Sequence, residues 1–203
     1  MDLALHIPAE ELSLRLEDIL PPDEARSEQL ASAARTAYEA VISAIDAQAW
    51  VRFLAPPQVL PPAVLHSMHG ADSYAAVLYT LGSRVDTTIA VQDPLTAYYA
   101  HQLASQASFA AFARVEQYLA AWHVPAGGGL STPRFPGEAG WPLKQGLRIF
   151  HPFPAGVQVN AEGCLTPLYS GAALIGIGTF QDQQTACELC ERQAICTFSS
   201  VKP

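Results

Sequence analysis

Three of the four cysteines fall within ten residues, as Cys187-x-x-Cys190-x5-Cys196. Two thiolates two residues apart can close on one metal, and a third nearby thiolate nearly completes a site. Cys164 would supply the fourth ligand if its segment packs beside this tail. Zinc and an iron–sulfur cluster both suit thiolates, and the spacing does not choose between them. The alternatives are an open fourth position filled by water or a partner, reduced structural thiols, or a redox pair, although no thioredoxin-like context precedes the motif. His66-x-x-His69 has a spacing a metal could use on one helix face. No cysteine lies near it and Gly70 follows directly, so ordinary polar residues are expected there. Glu10-Glu11, Glu17-Asp18 and Asp23-Glu24 are sequence neighbours. Neighbours on a helix do not face one another, so these acids read as solvated faces. There is no G-x-x-x-x-G-K-[ST] phosphate loop and no G-x-S-x-G nucleophile elbow. Gly176-Ile177-Gly178 lacks the third glycine of a dinucleotide turn.

The elements around these residues can be read from period and punctuation. Residues 1–26 form an acidic, proline-punctuated extension in which Ala9–Leu16 can make a short helix. Residues 27–203 then form one domain whose tail, 184–197, carries the cysteines. Leu30, Ala34, Tyr38, Val41 and Ile45 recur at helical steps and predict a helix from about Ser27 to Trp50. Pro61-Pro62 opens a short helix through about Met68. Ser73–Leu81 is a compact apolar run ended by Gly82 and predicts a buried strand. Arg84–Ala90 predicts a helical turn. Asp93-Pro94 is a strong helix start, and the helix should reach about Trp122 with Tyr99, Leu103, Phe109, Phe112 and Leu119 in the core. Gly127–Gly129 reads as a flexible link. Trp141–Phe150 can hold a short helix. Val157–Asn160 and Cys164–Tyr169 suggest a hairpin, and Gly171–Thr179 a strand. Helices and strands mix without βαβ alternation, so the predicted class is α+β with a mainly antiparallel sheet.

Half of the residues are apolar, which is enough for a sizeable core, and only 15% are charged. The net charge is −8, with ten of the nineteen acids but three of the eleven bases within residues 1–50. Such a chain lacks the basic footprint of a nucleic-acid binder and gives anionic lipid no hold. No nucleic-acid or membrane partner is expected. The first residues lack a basic, apolar leader, so the expected location is the cytoplasm.

Several segments match one family in order. They are Tyr79-Thr80-Leu81-Gly82 with Val85-Asp86, then Asp93-Pro94-Leu95 opening a helix that contains Ala104-Ser105. Arg134-Phe135-Pro136-Gly137, Gly140-Trp141-Pro142-Leu143, Leu174-Ile175-Gly176-Ile177-Gly178 and Cys187-x-x-Cys190 follow. Together they resemble stand-alone relatives of the activation domain of cobalamin-dependent methionine synthase, over most of the chain. The resemblance implies a domain that binds S-adenosylmethionine and presents its methyl group to cobalamin held by a partner. It also implies a similar cysteine cluster at the C-terminus. On this resemblance the ligand site comprises Arg134, Pro136, Gly137, Glu138 and Trp141. Arg134 can pair bidentately with an amino-acid carboxylate. Pro136-Gly137 can turn the backbone toward a ligand, and Trp141 can supply an apolar wall. Where the family has a Tyr after Pro-Gly, this chain has Glu138. Acids expected along the long helix are replaced near His101 and Phe109, and a Lys-Ser pair reads Tyr169-Ser170.

Three functions follow from these signals. The first is an accessory protein of corrinoid methyl transfer, which binds S-adenosylmethionine or docks on a cobalamin-binding protein or methyltransferase for its reactivation. It would be a component of such a system rather than a complete enzyme. The second is a cysteine-ligated zinc or iron–sulfur protein for electron transfer or metal handling. The third is an interaction module that keeps only the fold.

Overall fold

The computed structural model describes residues 2–20, 22, 27–56, 60–138 and 140–180. Cys187, Cys190 and Cys196, and with them the whole 184–197 tail, lie outside the described residues.

Within the described residues the class is α+β, as expected. The elements in chain order are β1 (Leu3–Ile7), α1 (Glu28–Ala44), β2 (Ala47–Leu54), α2 (Pro62–Ser67), β3 (Ala71–Thr80), α3 (Ser83–Ala90), α4 (Pro94–Trp122), β4 (Gly129–Leu130), α5 (Leu143–Gly146), β5 (Gln158–Val159), β6 (Leu165–Thr166) and β7 (Ser170–Gly178). One sheet has the strand order β1-β2-β3-β7-β4, and β5-β6 is a separate two-stranded ribbon. The pairs β1–β2, β4–β7 and β5–β6 are antiparallel. The inner strands β3 and β7 are buried without interruption over residues 74–80 and 172–178. Continuous apolar runs of this kind suit strands covered on both faces.

By contacts the chain divides into two units. Of the described residues, one holds those within 2–51, 78–117 and 152–171, and the other those within 52–77, 118–151 and 172–180. In the first unit, α1 contributes Ala34, Ala37 and Val41 to a core that also holds Leu81, Val85, Tyr99, Leu103 and Ala107. In the second, Val64 and Met68 are buried, as are Ala75, Ala76 and Val77 of β3 and Leu174 and Ile175 of β7. Trp141 and Phe150 complete that core.

Three expectations need correction. The helix predicted to run to Trp50 ends at Ala44. Ala47, Ala49 and Val51 are fully buried while Gln48 and Trp50 between them are not, and this two-residue period belongs to a strand that pairs with β1. Ala9–Leu16 forms no α-helix but a 3-10 turn at Ala9–Leu12, with another at Leu16–Asp18. Phe109 is not a core residue, being 73% exposed. It stands two residues from buried Ala107 and Ala111, about 200° around the helix from each.

Asp93 caps α4 as expected. Its Oδ1 accepts hydrogen bonds from the backbone N–H of Leu95 at 3.0 Å and of Thr96 at 3.2 Å. Those contacts to the ionised form hold its carboxyl below the usual range, with the Thr96 side chain contributing most. No helix among the described residues is long and apolar enough to cross a membrane.

Candidate functional site

The Arg134 loop belongs to the second unit and is tied at its root. After β4 the chain stays beside β7: Ser131 donates to the Gly176 carbonyl, and Arg134 and Leu174 exchange two backbone hydrogen bonds of 2.9 Å. The following turn closes on itself. Gly137 N–H donates to Trp141 O at 2.8 Å, Trp141 N–H to Glu138 O at 2.9 Å, and Glu138 N–H to Phe135 O at 3.2 Å. Gly137 has φ +101°, a left-handed value that side chains rarely adopt, so Pro136-Gly137 makes the turn the sequence suggested. Beneath the loop, a Cβ placed on Gly146 would fall 2.7 Å from the Pro136 Cβ and 3.0 Å from the Trp141 ring. The bare glycine lets α5 sit directly against the loop.

These constraints aim the side chains. The Arg134 side chain is only 12% exposed and its Nε donates to Glu138 Oε2 at 2.6 Å. Its Nη1 donates to Ser67 Oγ at 2.8 Å, and Ser67 in turn donates to the Val64 carbonyl within α2. Trp141 is 1% exposed, so it packs the floor of the loop rather than an open wall. Of the five residues proposed from the sequence, Arg134 and Glu138 come together as a charged pair, Pro136 and Gly137 shape the turn, and Trp141 supports it from below. Ser67 was not foreseen. It is 67 residues from Arg134 in the chain, and nothing in its own neighbourhood marks it.

Cys164 is exposed in the β5–β6 ribbon, where its N–H donates to Asn160 Oδ1 at 2.8 Å. Among the described residues, no group of three or more His, Cys, Asp or Glu is placed to hold a metal. His66 lies in the last turn of α2, whereas His69 falls beyond its end, so the two do not share a helix face.

A second polar cluster, in the first unit, was also not foreseen. His101 Nδ1 on α4 is hydrogen-bonded to the Tyr169 hydroxyl. Asp86 Oδ2 on α3 accepts the Leu168 N–H at 2.8 Å, while its Oδ1 is buried without a partner among the described residues. Burial, together with the negative charge of Asp86, pushes the Tyr169 phenol up to about 12. His101 lies where the resemblance expected an acid, and Tyr169 where it expected a lysine; here the two are hydrogen-bonded to each other. Two grooves among the described residues lie elsewhere in this unit. One, about 540 Å³, is lined by Glu28, Ser32, Asp93 and Thr96. The other, about 530 Å³, is lined by Leu14, Arg15, Arg35 and Tyr38. Both are open to solvent, and neither touches the Arg134 loop or the His101–Tyr169 cluster.

No protein-family model matches the chain. No curated protein matches it either. Among solved structures, the fold is similar to the crystal structure of the MetH reactivation domain bound to AdoHcy, with a TM-score of 0.56 and 10% sequence identity. The alignment covers 90% of this chain and 80% of that one. At that identity the likeness establishes a distantly related fold.

Proposed function

We propose that this chain is an accessory component of corrinoid-dependent methyl transfer, which binds S-adenosylmethionine or S-adenosylhomocysteine at the Arg134 loop and docks on a cobalamin-carrying protein. The observation that carries this reading is the fold likeness over 90% of the chain to a reactivation domain holding AdoHcy. The Arg134 loop supports it chemically. A guanidinium held nearly buried between Glu138 and Ser67 is fixed in place as a planar cation that suits a ligand carboxylate. The chain would supply binding and placement, and cobalamin on the partner would supply the methyl-transfer and redox chemistry.

Isothermal titration with S-adenosylhomocysteine, and with a cobalamin-loaded partner, tests the proposal. Saturable binding is expected, weakened roughly tenfold or more by Arg134→Ala, since a charge-assisted hydrogen bond is lost. Silence toward both would leave a module that keeps only the fold.

The thiolate site belongs to the same proposal, with Cys187, Cys190 and Cys196 as ligands and Cys164 as the fourth. Protein purified without oxygen should carry zinc, or iron with acid-labile sulfide, and Cys187→Ser should lower that content. Metal-free protein would remove this part of the proposal and leave the Arg134 loop untouched.

A further inference from the structure

Ser67 is the last residue of α2 and is engaged in two directions. Its hydroxyl donates to the Val64 carbonyl at 2.9 Å, and its oxygen accepts from Arg134 Nη1 at 2.8 Å. A hydroxyl has one hydrogen and two lone pairs, so with the hydrogen spent inside the helix only a lone pair faces the guanidinium. Ser67 is thus a one-way acceptor, the polarity a cation needs. Both ends of this contact are anchored on β7 and the residue that follows it. Arg134 exchanges two backbone hydrogen bonds of 2.9 Å with Leu174, and just beyond α2 the Gly70 carbonyl accepts the Thr179 N–H at 3.1 Å. Gly70 lies at φ +99°, and a Cβ there would overlap the Thr179 carbonyl, so this approach requires glycine. Val64 and Met68, which flank Ser67 in the chain, are 0% and 1% exposed and pin α2 to the core.

The contact with Ser67 changes what the loop can do. A guanidinium held only at Nε, by Glu138, can swing about that one bond. A second bond at another nitrogen stops the swing and fixes the plane. We propose that Ser67 is a positioning residue for the Arg134 loop, holding the guanidinium plane in one orientation so that a ligand carboxylate meets it already aligned. Its bearing on binding rests on the ligand reading above, whereas the clamp itself rests on the contacts alone. The physical reason is entropy. An arginine side chain has many rotamers, and freedom already given up in folding is not lost again when a ligand arrives. Removing the Ser67 hydroxyl returns that cost to the binding step. No covalent step is involved.

The test is a double-mutant cycle, read by calorimetric titration of the full chain with S-adenosylhomocysteine. Ser67→Ala should weaken binding roughly three- to tenfold, the scale of one hydrogen bond, and Ser67→Thr, which keeps the hydroxyl, should restore it. In the Arg134→Ala background, Ser67→Ala should have no further effect. An equal loss in both backgrounds, or none in either, would overturn the proposal, since Ser67 would then act through packing or not at all. If the wild-type chain does not bind the nucleoside, the ligand reading fails on its own, and nuclear magnetic resonance of the ligand-free chain decides the clamp. Rotation about Nε–Cζ exchanges the two Nη groups, and it breaks the bond to Ser67 while leaving that to Glu138 intact. Arg134, assigned by the loss of its signals in Arg134→Lys, should show two separate Nη resonances in the wild-type chain. They should merge in Ser67→Ala and separate again in Ser67→Thr. Merged resonances in the wild-type chain, or separate ones in Ser67→Ala, would show that Ser67 holds nothing in place.

Discussion

At Arg134 one planar cation serves two directions: Nε faces Glu138 and Nη1 faces Ser67. Its chemistry follows from residue type, but the pairing with Ser67 depends on α2 arriving from far along the chain. Tyr169 shows the same division. Its phenol is ordinary in sequence, yet burial and the charge of Asp86 raise it to about 12. A phenol near 10 in the unfolded chain and near 12 in the folded one binds its proton more tightly when folded. The stability this represents is complete below about pH 10 and is lost as pH rises toward about 12. Urea-unfolding midpoints of the wild-type chain should therefore fall across that window, and Tyr169→Phe should flatten the fall. An identical alkaline slope in the variant would show that the Tyr169 phenol is not the responsible group.

Elements with strong local signals came out close to expectation. Asp93-Pro94 opens α4 because the carboxylate accepts the free N–H groups of the first turn and proline fits there. The Pro61-Pro62 start of α2, the β5–β6 ribbon and the buried runs of β3 and β7 were likewise readable. The boundary between α1 and β2 was not, because the apolar stripe of α1 runs on to Ile45 and alanine suits a helix, while the alternation of Ala47, Ala49 and Val51 is too short to mark a strand until β1 lies beside it. β1 is a terminal strand of the sheet, and its Ile7 is 5% exposed. Deleting residues 1–8 removes that burial and leaves the longer β2 as the open edge. Loss of about 2 kcal/mol of unfolding free energy is expected from the isoleucine side chain. Concentration-dependent association by light scattering should accompany it. A truncated chain that stays monomeric with unchanged stability would show that β1 contributes neither packing nor edge protection.

For the molecule as a whole, composition and period were enough to determine the α+β class, and short ordered motifs were enough to point to the fold of a reactivation domain at 10% identity. Such features survive in sequence because a helix cap, a buried strand and a glycine turn are each enforced within a few residues. The location of Trp141 under the loop, the outward face of Phe109, the pairing of His101 with Tyr169 and the engagement of Arg134 by Ser67 were decided only in three dimensions. Each depends on groups brought together by chain reversal or on the rotational phase of a long helix. The sequence alone determined which residues carry charge and which turns must form. The tertiary structure alone decided which of those charges meet, because hydrogen bonds are satisfied by whatever lies within about 3 Å, whatever its distance along the chain.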